Sequence, residues 1–404
     1  MSSTADSTNE QSVHFYQGLD HHKENPETLF KKKVKELCNV KHLNFLFGAG
    51  TSSGAIPPMK AIKEALDQAI GKDTSGLNEL YDTLKQDNLE DILNVLYAQR
   101  FYQEGVGEDA AQTQKLISFI QGFMFKSINV AMDTEESKAA LELYKIFYIK
   151  LALRNKDLSR INVFTTNNDL FNERALDHLN INYNNGFGGG LERYFNPARF
   201  RYTHSKRVDL NMEKFEPIDN MVYLYKLHGS INWVQSEENK GNALFGIQEI
   251  PLIGGIKTAD QPALIYPTPL KQNQSLGSPY ADLIREFKDK LTLQNSVLFV
   301  IGYSFSDEHL NNIIYQALAS NTSMSVVIFG DHDKCLLSRI GDSRVYRFFG
   351  ATEISEEQKT KVHYFEHIVK SLLPDVDDNR DKSLLENFVE QLENAKKENE
   401  HESR

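Results

Sequence analysis

Cysteine is scarce in this sequence, in which Cys38 and Cys335 are the two examples. They lie far apart along the chain and form neither a CxxC pair nor the kind of disulfide framework that small secreted proteins use. The sequence therefore favours a reducing, intracellular setting.

Long apolar runs are also missing. The longest, Val297–Ile301 with its neighbours, is far too short to span a bilayer. The first 24 residues are polar and lack the apolar stretch that a secretory signal needs. We therefore expect a soluble, cytoplasmic protein without membrane association.

Basic charge is in deficit. The 404 residues include 45 Lys and Arg against 56 Asp and Glu, for a formal net charge of -11. Because phosphate binding draws on clustered Lys and Arg, this balance argues against direct nucleic-acid binding by this chain alone. The 40% of hydrophobic residues is typical of a soluble globular protein, with length for one large domain or two.

Strand and helix patterns alternate along most of the chain, which is typical of a parallel sheet covered by helices. Residues 1–25 are rich in polar residues and predict a flexible tail, whereas residues 26–375 predict a Rossmann-like, doubly wound α/β domain. Within that domain, apolar residues at helical spacing predict a helical insertion subdomain at about 57–156. The charged segment 376–404 predicts a solvated helix or tail.

Individual elements follow from local periodicity and turn residues. The apolar run Leu43–Phe47 ends directly in a glycine-rich turn before a helical pattern, which predicts a βα unit. The patterns predict further strands at 161–165, 222–227, 263–266, 296–302 and 325–329, and helices at 170–178, 280–288, 307–318, 357–373 and from Ser383 onward.

Two polar or glycine-rich segments follow the first two strands, in positions where doubly wound sheets bind ligands. The first is Gly48-Ala49-Gly50-Thr51-Ser52, whose glycines would open a cradle of backbone amides for a pyrophosphate while Ser52 donates a hydroxyl hydrogen bond. Many such turns are glycine-rich for steric reasons alone. The second is Thr165-Thr166-Asn167-Asn168-Asp169, whose side chains are equally suited to capping the next helix.

Two more segments follow later strands. In the first, His228 precedes Gly229 and Ser230, and a histidine in a glycine turn at the rim of a sheet is well placed to act as a general base. The other segment runs from Gly302 to Asp307. There Ser306 has the pattern of a helix cap and Asp307 complements the helix dipole, which leaves Gly302 and Ser304 available to a ligand.

The order of the four segments resembles that of sirtuins. The pieces FLFGAGTS, FTTNNDLFNERAL, YKLHGSINW and VIGYSFSDEHL carry this resemblance over roughly residues 40–330. The last piece is more similar to the divergent bacterial sirtuin-like branch that serves in phage defence. LYKLHGS and Asn185-Gly186-Phe187 resemble the subunits of that branch that work with a HerA-type hexameric ATPase.

The resemblance implies roles for individual residues. It implies that Asn167 orients the nicotinamide ribose and a water, that His228 is the catalytic histidine, and that Asp169 contacts the nicotinamide amide. It further implies that NAD is bound by Gly48, Ala49, Gly50, Thr51, Ser52, Thr165, Gly302 and Ser304.

Two departures from the family narrow the expected activity. Protein-deacylating sirtuins hold a structural zinc with four cysteines in two pairs, and two lone cysteines predict no zinc module and no metal. The family loop G-I-P-D-F-R is replaced by Gly54-Ala55-Ile56-Pro57-Pro58-Met59, without the Asp, Phe or Arg. The residues of the nicotinamide pocket are therefore left undefined.

An intact Asn–His pair without a zinc module predicts an NAD glycohydrolase (NADase), which releases nicotinamide and ADP-ribose. A protein lysine deacylase, an NAD- or ADP-ribose-binding sensor or scaffold, and a nuclease within a complex remain as alternatives. The sequence shows no carboxylate cluster with metal-ligand spacing, which argues against the nuclease. Because constitutive NAD destruction would poison the host, we expect activation by a HerA-type ATPase or by homo-oligomerisation through the helical insertion.

Overall fold

The computed structural model describes residues 13–72, 76–152, 158–209, 213–218, 220–235, 246–251, 262–264, 279–332, 335–355 and 358–374. The predicted helix from Ser383, the segment 376–404 and the end of the predicted strand 263–266 lie outside these residues.

Helices and strands alternate as the sequence predicts. The helices are α1 (Pro26–Cys38), α2 (Met59–Ile70), α3 (Leu77–Asp82), α4 (Leu89–Val106), α5 (Ala111–Ile128), α6 (Glu135–Ala152), α7 (Phe171–His178), α8 (Tyr280–Thr292), α9 (Glu308–Ser320) and α10 (Phe365–His367). The strands are β1 (His14–Gln17), β2 (Asp20–His22), β3 (His42–Phe47), β4 (Ile161–Thr165), β5 (Asn182–Asn184), β6 (Phe187–Gly188), β7 (Arg193–Phe195), β8 (Ser205–Asp209), β9 (Lys214–Pro217), β10 (Met221–Lys226), β11 (Gly229–Gln235), β12 (Ile247–Glu249), β13 (Pro262–Leu264), β14 (Ser296–Ile301), β15 (Ser325–Phe329), β16 (Val345–Phe349), β17 (Ala351–Ser355) and β18 (Gln358–Lys361).

A large, mostly parallel sheet forms the centre of the protein, in the order β2-β1-β16-β15-β14-β3-β4-β10-β5. Every pairing from β16 to β5 is parallel. Side chains of one strand alternate between two cores: Phe45 and Phe47 lie in a core with α1, α6 and α7, whereas Leu46 lies in a core with α8 and α9. The fold is therefore a Rossmann-like, doubly wound α/β fold, as predicted.

Regular secondary structure begins at His14, closer to the N-terminus than predicted. Within the expected tail 1–25, β1 and β2 form an antiparallel hairpin, and β1 pairs antiparallel with β16 at the end of the parallel part of the sheet. Phe15 is buried there and packs edge-on against Phe30 of α1. The prediction of a tail was wrong for this hairpin, because backbone pairing with the sheet and the burial of Phe15 order it without an apolar run.

The helical insertion has its own core, and that core ends earlier than predicted. Side chains of α2 to α5, from Ile62 to Phe125, pack together with Ile231 from β11. By contrast, Tyr144, Phe147 and Tyr148 of α6 are buried in the core of the central sheet. The separate subdomain therefore comprises α2 to α5, whereas α6 packs on the central sheet.

The C-terminal helix predicted at 357–373 begins too early. Residues Gln358–Lys361 form β18, which pairs antiparallel with β17, and helical structure is confined to α10 and a π-helical turn over Ile368–Leu372. The β-branched Thr360 favours the strand at this point. None of the described helices has the length and apolarity needed to cross a membrane.

Trp233 lies in the protein core. It is buried in β11 of a smaller sheet with the order β13-β11-β12-β7-β6. Its indole ring packs against Phe187 and Phe195 of that sheet.

Candidate functional site

The four segments singled out in the sequence meet at one edge of the central sheet. The adjacent parallel strands β14, β3, β4 and β10 all end there, and the chain order reverses at β3. A cavity of about 550 Å³ opens beyond these strand ends. Its lining includes the predicted residues Ala49, Gly50, Ser52, Asn167, Asp169, His228, Gly302 and Ser304. The other predicted residues, Gly48, Thr51 and Thr165, do not line the cavity but accept hydrogen bonds from Asn167, which does.

Glycines allow the first and last segments to touch through their backbones. A Cβ atom on Gly48 would lie 2.5 Å from the carbonyl oxygen of Gly302, and one on Gly50 would lie 2.6 Å from the Cα of Gly302. Gly302 itself has a φ of 64° and would place a Cβ 2.7 Å from the amide nitrogen of Thr51. The steric explanation for these glycines therefore holds: they are needed for the two turns to pack together.

We expect Gly302→Ala to destabilise the fold by about 1–3 kcal/mol, because it introduces both an unfavourable φ and a backbone clash. The matched control is Gly54→Ala in the same loop region, where an added Cβ meets nothing within 4 Å. Denaturant unfolding of the two variants measures the difference. Equal stability of Gly302→Ala and Gly54→Ala would contradict this account of the turn.

The backbone amides of the first segment form a less open cradle than predicted. Four amides donate to backbone carbonyls: Gly48 to Ile301 (3.0 Å), Gly50 to Gly302 (2.9 Å), Thr51 to Gly48 (3.0 Å) and Ser52 to Ala49 (3.2 Å). Within the described residues, the amide of Ala49 donates to no carbonyl, and Ala49 lines the cavity. A pyrophosphate would therefore find one available amide here, rather than a ring of them.

Asn167 connects the second segment to the first. Its Nδ2 donates to the carbonyl oxygen of Gly48 (3.1 Å) and to the hydroxyls of Thr51 (3.0 Å) and Ser52 (3.3 Å). Its backbone amide donates to the hydroxyl of the buried Thr165 at 3.0 Å. Both the backbone nitrogen and the side-chain nitrogen of Asn167 thus donate to other groups of the protein. The side-chain oxygen is left as the group suited to a ligand or water.

Tyr144, which the sequence analysis missed, supports the same loop from α6. Its hydroxyl lies 2.7 Å from the Thr51 hydroxyl and 2.9 Å from the Ser52 hydroxyl. Burial raises the pKa of Tyr144, so the phenol stays neutral. The hydroxyls of Thr51 and Ser52 therefore belong to a buried network and hold the loop in place.

Asp169 belongs to that network too. One carboxylate oxygen accepts a hydrogen bond from the Ser52 hydroxyl (2.8 Å), and the other accepts one from the backbone amide of Phe171 (3.1 Å) at the start of α7. Burial raises the pKa of Asp169, and the nearby Lys226 opposes that rise. Asp169 therefore holds both the loop and the first residue of α7, and it also lines the cavity.

A buried lysine lies beneath the second segment. Lys226, at the end of β10, is 1% exposed, and its ammonium forms an ion pair of 3.0 Å with the buried Glu173 of α7. The ammonium also donates to the carbonyl oxygens of Asn168 and Asp169. Lys226 thereby fixes the turn that carries Asn167.

His228 reaches the cavity from the turn after β10. Its Nε2 lies 3.1 Å from a carboxylate oxygen of Asp307, at the start of α9. The side-chain amide of Asn168 donates to the carbonyl oxygens of His228 (2.8 Å) and Gly229 (3.2 Å) and so fixes the backbone of this turn. The sequence predicted Ser306 as the helix cap and only a dipole role for Asp307, but the cap of α9 is Asp307, whose side chain accepts from the amides of His309 and Leu310. Its contact with His228 links the third and fourth segments.

The helical insertion forms the apolar wall of the cavity. Ile56 and Met59 come from the altered loop and the start of α2, and Ile62 and Ile128 come from α2 and α5. These residues supply lining for the part of the pocket whose residues the sequence left undefined. An apolar wall opposite polar strand ends is the usual composition of a small-molecule site.

A second cavity of about 570 Å³ lies on the other side of the fourth segment. Ser304 and Phe305, which belong to the fourth segment, line this cavity. Its lining also includes Tyr315, Asp331 and His332. Ser304 is exposed, lines both cavities, and donates to the Ser306 hydroxyl at 2.9 Å. Among the described residues, no group of three or more His, Cys, Asp or Glu side chains is placed to hold a metal ion.

Comparison with known proteins matches the region that contains most of this site. A family model described as a SIR2-like domain matches residues 161–334, which include Asn167, His228 and Gly302. No curated protein matches the chain. One solved structure, titled "Structural Basis for the Mechanism and Regulation of Sir2 Enzymes", is 13% identical, with a TM-score of 0.35, and the match covers 79% of this chain and 95% of that chain. Residues 161–334 are thus similar to a SIR2-like domain, which supports the predicted resemblance to sirtuins.

Proposed function

We propose that this protein hydrolyses NAD to nicotinamide and ADP-ribose. The observation that supports this most is the convergence of Asn167 and His228 on one cavity, beside a glycine turn and within a SIR2-like region. The 550 Å³ cavity and its neighbour meet at Ser304 and together offer room for a dinucleotide. In this proposal the apolar wall receives the nicotinamide, and the side of the site near Ser304 receives the adenosine.

The reaction needs a water molecule at the anomeric carbon of the ribose. The oxygen of that water forms a bond to C1′ while the bond from C1′ to the nicotinamide nitrogen breaks, and its electron pair neutralises the pyridinium. Asn167, with its amide nitrogen held by the loop, orients the water or a ribose hydroxyl through its side-chain oxygen. His228 accepts the proton that the water loses.

Two other functions fit the same cavity and predict different products. A lysine deacylase would consume NAD in the presence of an acyl-lysine peptide and release acyl-ADP-ribose. A sensor or scaffold would bind NAD or ADP-ribose and release nothing. The absence of paired cysteines for a zinc module favours hydrolysis over deacylation.

Product analysis separates the three functions. We expect the full chain incubated with NAD to release nicotinamide and free ADP-ribose in equal amounts, with or without an acyl-lysine peptide. Release of acyl-ADP-ribose that depends on the peptide would favour the deacylase instead. Saturable binding by calorimetry without any product would favour the sensor.

Regulation is part of the proposal, because uncontrolled NAD hydrolysis would deplete the host. We propose a cytoplasmic effector in antiphage defence that is switched on by a HerA-type ATPase partner or by homo-oligomerisation. The outer side of α4 exposes Phe101, Tyr102 and Val106, which would serve self-association of the insertion. Light scattering combined with kinetics tests this: a fully active monomer would contradict it.

A further inference from the structure

The contact between His228 and Asp307 has the geometry of a histidine oriented by a carboxylate. Nε2 of His228 and Oδ2 of Asp307 are 3.1 Å apart, and both side chains are largely buried, with 16% and 13% exposed. At this distance the carboxylate accepts a hydrogen bond from a protonated Nε2. Neutral imidazole then carries its proton on Nε2 and its lone pair on Nδ1.

The carboxylate of Asp307 is held in one orientation. Its Oδ1 accepts hydrogen bonds from the backbone amides of His309 (3.0 Å) and Leu310 (3.2 Å), so that it caps α9. The cap fixes the side-chain rotamer and directs Oδ2 toward His228. One carboxylate thus performs two tasks with its two oxygens.

The turn before Asp307 adopts an unfavourable backbone conformation. Phe305 has a φ of 57°, a left-handed conformation that is unfavourable for a non-glycine residue. Buried neighbours stabilise it: Asn311 Nδ2 donates to the carbonyl oxygen of Phe305 at 2.7 Å, and Tyr303 donates to Asn311 Oδ1 at 3.1 Å. Such conformations cluster at functional sites, and this one lies two residues before the carboxylate that contacts His228.

We propose that Asp307 is a positioning residue that orients His228 and fixes the tautomer in which Nδ1 accepts the proton. This inference rests on the proposed hydrolysis of NAD for its role in turnover. In the reaction, the proton lost by the attacking water moves to Nδ1, and the negative charge of Asp307 stabilises the imidazolium that results. A helix-capping role alone predicts no such effect on the histidine.

Asp307→Asn separates positioning from capping, because asparagine caps a helix as well as aspartate does but lacks the charge. We expect kcat for NAD to fall about 100-fold in this variant, with little change in KM or thermal stability. Asp289→Asn, the same substitution at an exposed site in α8, is the control and retains full activity. An unchanged kcat in Asp307→Asn would overturn the proposal.

The tautomer is measured without any turnover. In the ¹⁵N NMR spectrum of the histidine side chains of the wild-type chain, with the His228 signals identified by their loss in His228→Gln, we expect Nε2 to be protonated and Nδ1 not. At a pH where the imidazole is neutral, a proton on Nδ1 instead of Nε2 would overturn the proposal even in a fully active enzyme. If the wild type releases no nicotinamide, the proposed hydrolysis fails, and the NMR result still supports or overturns the role of Asp307.

Discussion

Replacing Asn167 or His228 by alanine should reduce NAD hydrolysis about 100-fold or more, since each change removes one of the two groups that activate the attacking water. Asn167→Ala also removes the hydrogen bonds that its amide makes to Gly48, Thr51 and Ser52, so that variant should bind NAD more weakly as well. His228→Ala should lower kcat more than it raises KM. Initial rates of nicotinamide release over a range of NAD concentrations measure both effects.

The matched control for the histidine is His309→Ala. His309 is exposed at the start of α9, two residues after Asp307, and does not line the cavity. We expect its activity to equal that of the wild type. Full NAD turnover in both Asn167→Ala and His228→Ala would remove these residues from the mechanism and place the chemistry elsewhere.

Lys226→Met should destabilise the protein by about 3–5 kcal/mol, because it leaves the buried Glu173 without its cation. The change also removes the donor to the carbonyl oxygens of Asn168 and Asp169, so the turn that carries Asn167 loses its support. We therefore expect little NAD turnover even at temperatures where the variant stays folded.

Denaturant unfolding of Lys226→Met measures the stability loss, with Lys370→Met as the control. Lys370 also forms an ion pair with a glutamate, Glu366, but it is exposed, and an exposed pair contributes little. The double variant Glu173→Gln with Lys226→Met should recover part of the loss, because it removes the unpaired charge. If the two lysine variants are equally stable, the buried pair does not have the role described here.

The stability of Lys226→Met should also depend on pH. Burial raises the pKa of Glu173, and Lys226 lowers it. Because native Glu173 keeps its proton to higher pH than the unfolded chain does, the native state binds more protons between the two pKa values, and stability falls as pH rises through that window. Removing Lys226 extends the window upward, so the loss should be larger at about pH 8 than at about pH 5.

The convergence of the candidate residues could be predicted from the sequence because parallel strands end at one edge of a sheet. The apolar runs that end at Phe47, Thr165 and Ile301 are strands in the structure, and the polar segments that follow them line one cavity. The sequence also allowed a purely steric role for Gly48 and Gly50. Which amides remain available to a phosphate depends on contacts between two distant turns, which no local pattern contains.

The residues that sequence reasoning missed act through long-range contacts. In the sequence, Tyr144 is one more apolar residue in a helical stripe. Its hydroxyl contacts those of Thr51 and Ser52 only because α6 packs on the sheet. The local pattern placed the helix cap at Ser306, whereas Asp307 is the cap in the structure. Its second carboxylate oxygen contacts His228, which comes from another part of the chain.

The central claim is that this cavity cleaves NAD, and the most direct measurement is the release of nicotinamide by the purified full chain. The assay is run with the chain alone and with a HerA-type ATPase, in parallel with His228→Ala under both conditions. We predict nicotinamide release by the wild type in at least one condition and its loss in His228→Ala. Tight NAD binding without nicotinamide release in both conditions would contradict the claim and would indicate a sensor or scaffold.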